Sequence, residues 1–280
     1  MEALNASEKD WHDAMTRASE EYEAARSERV AALAELFSKY KTYPQQCYGS
    51  TSPVRVFQNM FPDNYYSRDI ETFLRSQKYA PDHRGADLPW WGKYFFAGHG
   101  GCRVCLVAQD SLVKDAGSVA LYAHLLTSVR DDRDIYAEFE NRVHAKRSFF
   151  HSWNTFRKQL DAWSIDVDFL YVTDAKKVYA SGSWKDRDFD IEQSKALLKA
   201  ELQMCAPDLI ILLAASPLRL LDLHARYASA VTSESQLVFC GAKTVVAPFF
   251  IGQGKAQKQF KERMNAATRR IRALQRKRIS

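Results

Sequence analysis

The chain has 280 residues, 46% of them hydrophobic and 26% charged, with a net charge of +6. This length suits one large α/β domain with an appendage, or two small domains, and the composition is that of a globular protein rather than a disordered one. The longest apolar runs, such as "DLIILLAAS", are far shorter than the ~20 residues of a membrane helix. The polar, acidic opening "MEALNASEKDWHDAM" lacks the basic-then-apolar order of a signal peptide, so a cytoplasmic protein with no membrane partner is expected.

Residues 7 to about 40 read as one long helix, with Ser7 as its cap and Trp11, Met15, Tyr22, Ala25, Val30, Leu33 and Leu36 at helical spacing. Residues 41–100 are aromatic and rich in turn signals, as in "MFPDNYYS" and "YAPDHRGADLPWWGKYFFAGHGG", and suggest loops and short helices covering a core. The expected division is therefore an N-terminal helix and covering segment over 1–100, followed by an α/β domain over 101–280. In that second part, strand-like runs occur at "RVCLVAQ", "VDFLYVTD", "DLIILLAA", "SQLVFC" and "KTVVAPFF". Helical segments are expected between them at 118–127, 134–162, 190–205 and 216–229. The alternation predicts an α/β fold, a three-layer α/β/α sandwich with a short, mainly parallel central sheet.

In such sheets the site lies beyond the carboxyl ends of the strands. Gln109-Asp110, Thr173-Asp174, Ala215-Ser216 and Ala247-Pro248-Phe249-Phe250 all stand where strands finish, and four strand ends would meet at one cleft. Neither G-x-G-x-x-G nor G-x-x-x-x-G-K-[ST] occurs where a phosphate-binding loop would need it, so no nucleotide cofactor is expected. The nucleophile elbow G-x-S-x-G is missing too. Five scattered cysteines make no disulfide framework. Cys102 and Cys105 form a C-x-x-C with no second pair at zinc spacing, and they read as small buried residues rather than as metal ligands. From Gly252 onward ten lysines and arginines stand against the single acid Glu262, a concentration that suits a polyanion or, alternatively, a solvated terminal helix.

The strand ends resemble motifs of the uracil-DNA glycosylase superfamily. Ala108-Gln109-Asp110-Ser111-Leu112 stands where that family has Gly-Gln-Asp-Pro-Tyr, and "LYVTDAKK" puts Asp174 in the place of its base-reading Asn. "PDLIILLAASPLRLL" is similar to the family's segment of Pro, a hydrophobic strand and Leu-Gly-x-x-Ala-x-x-Leu-Leu. "VVAPFFIGQG" stands where the family has His-Pro-Ser and a loop that enters the minor groove. The resemblance spans roughly residues 100 to 275.

What the resemblance implies is cleavage of an N-glycosidic bond in DNA, on a nucleotide flipped out of the stack, without a cofactor or metal. Asp110, with Gln109 beside it, would orient water and stabilise the oxocarbenium-like sugar; the alternative is that Asp110 only caps the next helix. An ionised Asp174 can accept hydrogen bonds but not donate them, which suits the exocyclic amine of cytosine better than uracil. Alternatively it pairs with Lys176 or Lys177.

Leu112 occupies the slot of the Tyr that excludes C5-substituted bases, so the implied substrate is a 5-substituted cytosine. Such bases occur in phage DNA, and a defence role would follow. Tyr122 or Phe250 would stack on the base. Ser216 would offer backbone N–H groups to a phosphate, Ile251-Gly252-Gln253-Gly254 would enter the groove with Ile251 or Gln253 as wedge, and Lys255 and Lys258 would meet phosphates. The family's His has no counterpart, Ala247 standing near its place, and the cysteines of its iron–sulfur branch are absent. A conventional uracil glycosylase and a nucleic-acid-binding protein without chemistry are the alternative readings.

Overall fold

The computed structural model describes residues 28–29, 31–33, 35–36, 84–96, 100–110, 119, 123, 153–180, 191–232, 237–251 and 258–279. Eight strands fall within them. They are β1 (Arg84–Ala86), β2 (Trp90–Trp91), β3 (Val104–Ala108), β4 (Leu170–Asp174), β5 (Val178–Ala180), β6 (Leu209–Leu213), β7 (Leu237–Phe239) and β8 (Ala242–Ala247). Six form one sheet in the order β2-β4-β3-β6-β8-β7, while β1 and β5 pair as a separate antiparallel ribbon. The four inner strands β4, β3, β6 and β8 are parallel, and β2 and β7 close the edges antiparallel. The near-continuous apolar runs of β3 and β6 are what a strand covered on both faces needs. The α/β sandwich is thus the fold.

Among the described residues, helices α1 (Trp153–Trp163), α2 (Ile191–Cys205), α3 (Ala215–Leu220), α4 (Tyr227–Thr232) and α5 (Phe260–Ile279) accompany the sheet. Side chains that alternate along the strands, Tyr171 and Thr173 of β4 with Cys105 of β3, meet Glu201 and Cys205 of α2. Helix α5 packs on α1 and on α4, and α4 and α5 lie against β8.

Two expectations change. The helix expected over 216–229 is broken into α3 and α4 because Asp222 takes a left-handed backbone (φ 54°) and turns its carboxylate back to Lys195 and Lys199 of α2. The strand expected from Val167 begins at Leu170, since Val167–Phe169 coil into a 3-10 turn capped by Asp166, whose side chain accepts from the Asp168 N–H at 3.0 Å. "SQLVFC" forms the edge strand β7, which turns back into β8 through Cys240 and Gly241. Both of these have positive φ, as a two-residue hairpin of matching twist requires.

Of the segment expected over 41–100, residues 84–96 and 100 are described, and strand β2 within them joins the sheet. β2 pairs with β4, and Trp91, Phe95 and Phe96 surround the Tyr171 ring at centroid distances of 6.0, 5.2 and 6.2 Å. Gly92 is needed there, because a Cβ would stand 2.0 Å from the Val167 carbonyl oxygen. Of the long N-terminal helix, the described residues between 28 and 36 are helical. Leu33 and Leu36 enter the main core, and Arg29 donates to the Met204 carbonyl in the last turn of α2 at 2.9 Å. The rest of that helix, and the helical segments expected at 118–127 and 134–152, lie outside the described residues except for helical Val119 and Ala123.

Candidate active site at the carboxyl ends of β3 and β4

Along the chain the parallel strands run β3, β4, β6, β8, but in space the order is β4-β3-β6-β8. The chain steps from β3 to one side and then returns to its other side. Such a reversal opens a crevice beyond the carboxyl ends of the two strands between which the order switches, here β3 and β6. Gln109 and Asp110 follow β3 directly and stand at this crevice.

Backbone pairing continues past the end of the strands. Ala108 is in register with Asp174, the Ala175 N–H donates to Ala108 at 2.9 Å, and the Lys176 N–H donates to Gln109 at 2.9 Å. Lys176 is therefore fixed opposite Gln109, and its Nζ comes to 3.5 Å from Oδ2 of Asp110. The Gln109 amide donates to Oδ1 of Asp110 at 3.1 Å. The Asp110 side chain keeps 11% of its surface and that of Lys176 only 3%. Among the described residues Oδ2 of Asp110 is buried and accepts no hydrogen bond, so a carboxylate oxygen with spare acceptor capacity faces an ammonium group. Asp174, on the neighbouring strand end, is 2% exposed.

One residue further on, a second charged pair is closed completely. Lys177 donates to Glu201 and to Thr173, Thr173 donates to Glu201 at 2.9 Å, and the Tyr171 hydroxyl donates to the same carboxylate at 2.7 Å. Burial, with Cys205 and the Glu201 carboxylate beside it, pushes the Tyr171 hydroxyl well above its ordinary range, so it remains a donor. The loop before β2 is tied to the same turn: the Asp87 N–H donates to the Lys177 carbonyl at 3.1 Å, and Oδ1 of buried Asp87 accepts from the Val119 N–H at 2.8 Å. The bend carrying Asp174 and Lys176 is thus clamped from beneath.

The β6–α3 turn beside this crevice carries backbone strain. Ala214 has φ 73° and ψ −164°, a conformation essentially confined to glycine, and its N–H donates to the Ala247 carbonyl at 2.9 Å.

The other expected site residues fall in different places. Phe250 is 1% exposed and packs on Phe156 and Trp163 at 5.6 and 5.5 Å, so it is a core residue and offers no face to a base. Ser216 is buried in the first turn of α3. Ala247 is fully buried. Ile251 is partly exposed at the bend after β8, and Lys258 is exposed just before α5. Leu112, Tyr122, Gly252, Gln253 and Lys255 lie outside the described residues. Cys105 packs against Cys205; burial, then the hydrogen bond with that thiol, pushes its own thiol well above the ordinary value, which leaves it a neutral packing group. Among the described residues, no group of three or more His, Cys, Asp and Glu side chains is placed to hold a metal ion. No helix among them is long and apolar enough to cross a membrane.

Glu201, Lys177, Lys176 and Asp87 carry more of this site than their sequence context suggests. One signal was present: Glu201 sits in an apolar slot of α2, among Leu197, Leu198, Leu202 and Cys205, where only a paired acid is tolerable.

No protein-family model matches the chain, and no curated protein matches it.

Proposed function

We propose that the site beyond the carboxyl ends of β3 and β4, beside the crevice between β3 and β6, cleaves the N-glycosidic bond of a flipped-out modified pyrimidine in DNA, a 5-substituted cytosine, leaving an abasic site. The observation that carries this reading is the buried, unsatisfied Oδ2 of Asp110, at the switch point of the sheet and 3.5 Å from Lys176. In the reaction the bond from C1′ to the base nitrogen breaks with its electron pair on the base, and positive charge builds on the sugar. Asp110 faces that charge and takes the proton of the water whose oxygen bonds to C1′. Cytosine leaves poorly unless it is protonated or hydrogen-bonded. Lys176 supplies the cation beside it, in a site where the His of the resembled family is replaced by buried Ala247.

Two further features support the reading. Ala214 stands where the resembled segment has Gly, and its backbone takes the conformation that glycine takes. Asp174 stands at the end of β4, in register with Ala108, as the base reader would. Because Asp174 is 2% exposed, a base reaches it only after its cover moves. That closure, with the missing His, favours a second reading, in which the fold binds nucleic acid without cleaving it.

The test is a panel of duplexes carrying uracil, cytosine, 5-hydroxymethylcytosine or glucosylated cytosine, scored for abasic sites by alkaline strand cleavage. Abasic sites on the modified cytosines, with Asp174→Asn shifting the preference towards uracil by roughly tenfold or more, are expected from loss of a base-specific pair. Cleavage of uracil DNA alone would remove the base-reading role of Asp174. Binding without abasic sites on any duplex would leave the second reading.

A further inference from the structure

Helix α5 carries its cations in two groups with different roles. Arg263, Arg270 and Arg272 are used by the fold. Arg263 lies over the Tyr227 ring at 5.7 Å, Arg270 donates to the Ala230 carbonyl at 2.9 Å, and Arg272 donates to the Ala162 carbonyl at 2.7 Å. Lys261, Arg269 and Arg276 are exposed, with Lys258 in the turn just before the helix, and among the described residues none of these four has an acidic partner.

Their spacing places them together. Lys261, Asn265, Arg269, Arg272 and Arg276 recur at steps of four, four, three and four, which keeps them on one face of a helix. Met264, Ala267 and Ile271 line the opposite, buried face. From Lys261 to Arg276 the stripe is about 22 Å long at 1.5 Å per residue. The helix contains one acid, Glu262. Its direction also matters. Arg272 reaches the end of α1, whose chain goes on to the start of β4, so that end of the stripe lies towards the amino ends of the parallel strands.

We infer that this stripe is a docking surface for the phosphate backbone of duplex DNA, separate from the crevice. Lys261, Arg269, Arg272 and Arg276 in a row about 22 Å long, with Lys258 in the turn before it, present a line of positive charge to the phosphate backbone of a duplex. An anionic bilayer fits less well: a surface-bound helix needs an apolar face to insert, and that of α5 is spent in the core. The inference goes beyond the proposed chemistry, because it concerns unmodified DNA and holds whether or not any bond is cleaved.

The experiment is equilibrium binding of the full chain to an unmodified DNA duplex across a series of salt concentrations. Arg269→Gln/Arg276→Gln is compared with Lys93→Gln/Lys199→Gln, which removes the same charge from the β2–β3 connection and from α2. Circular dichroism and a melting curve establish that both variants fold. The stripe variant should lose roughly tenfold or more in affinity near 0.1 M salt, and its salt slope should fall by about 1.8, two phosphate contacts at 0.9 each. The control variant should do neither. Equal losses in both variants would reduce the effect to net charge and overturn the proposal. So would absence of binding to DNA, or tighter binding to an RNA duplex, polyglutamate or anionic vesicles than to DNA. A failed glycosylase assay alongside a positive result here would sink the chemistry and leave the docking surface standing.

Discussion

Lys176 and Lys177 are neighbours on one bend, and each faces a carboxylate, yet the two pairs differ in kind. Lys177 and Glu201 are sealed beneath the bend, and the carboxylate takes three donors: Lys177, Tyr171 and Thr173. Lys176 and Asp110 meet beyond the carboxyl ends of β4 and β3, where Asp110 keeps some exposure and its Oδ2 accepts no hydrogen bond among the described residues. A completed network fixes geometry and has nothing left to offer a ligand. An incomplete one in a partly open site is where polar chemistry becomes available. The sealed pair holds the bend; the open pair is what the bend presents.

The comparison breaks most visibly at Glu201. Glu201→Ala leaves Lys177 buried without a counter-charge and should destabilise the fold by about 3–5 kcal/mol, read by urea denaturation. If Asp110→Asn costs as much, the two pairs are equivalent and the distinction fails. The expected cost for Asp110→Asn is smaller, about 1–3 kcal/mol, since the Asp110 carboxylate keeps 11% of its surface and accepts one hydrogen bond where that of Glu201 accepts three.

Ala214→Gly sharpens the account from the other direction. Relief of a glycine-type conformation is worth about 1–3 kcal/mol and the added chain entropy costs about 0.5–1 kcal/mol, so stability should rise by about 1 kcal/mol. A loss of stability would mean that the turn is not strained.

The smallest effect belongs to the exposed pairing of Asp222 with Lys199 and Lys195, which lowers the Asp222 carboxyl below its ordinary 3.8. A carboxyl lowered by folding stabilises above its ordinary value and loses that contribution as pH falls through the folded value. Asp222→Asn should therefore reduce stability slightly near neutrality and leave it unchanged once the wild-type carboxyl is protonated, a convergence that melting curves at stepped acidic pH would show.

Much of the sheet was legible because parallel strands must be apolar on both faces: β3, β4, β6 and β8 all lie inside runs visible in the sequence, and their common direction puts Gln109-Asp110 and Asp174 at one edge. What stayed hidden depends on contacts distant in the chain. That Trp90 and Trp91 form an edge strand follows from packing on Tyr171, some 80 residues later, and no local pattern encodes it. Phe250 looked available because it follows a strand end, but Phe156 and Trp163 of α1 enclose it. Asp222 ended a helix that periodicity would have continued, through its bonds to α2. The separate fates of Lys176 and Lys177 turn on side-chain direction after a strand end, where alternation no longer applies.

The most direct measurement is release of free base from duplex DNA carrying 5-hydroxymethylcytosine, followed by mass spectrometry, for the wild-type chain and for Asp110→Asn. Release by the wild type is expected, with a loss of at least about a thousandfold in the variant, roughly 4 kcal/mol of transition-state stabilisation. Equal release by both proteins would contradict it, and so would no release from a wild-type chain that binds the same duplex.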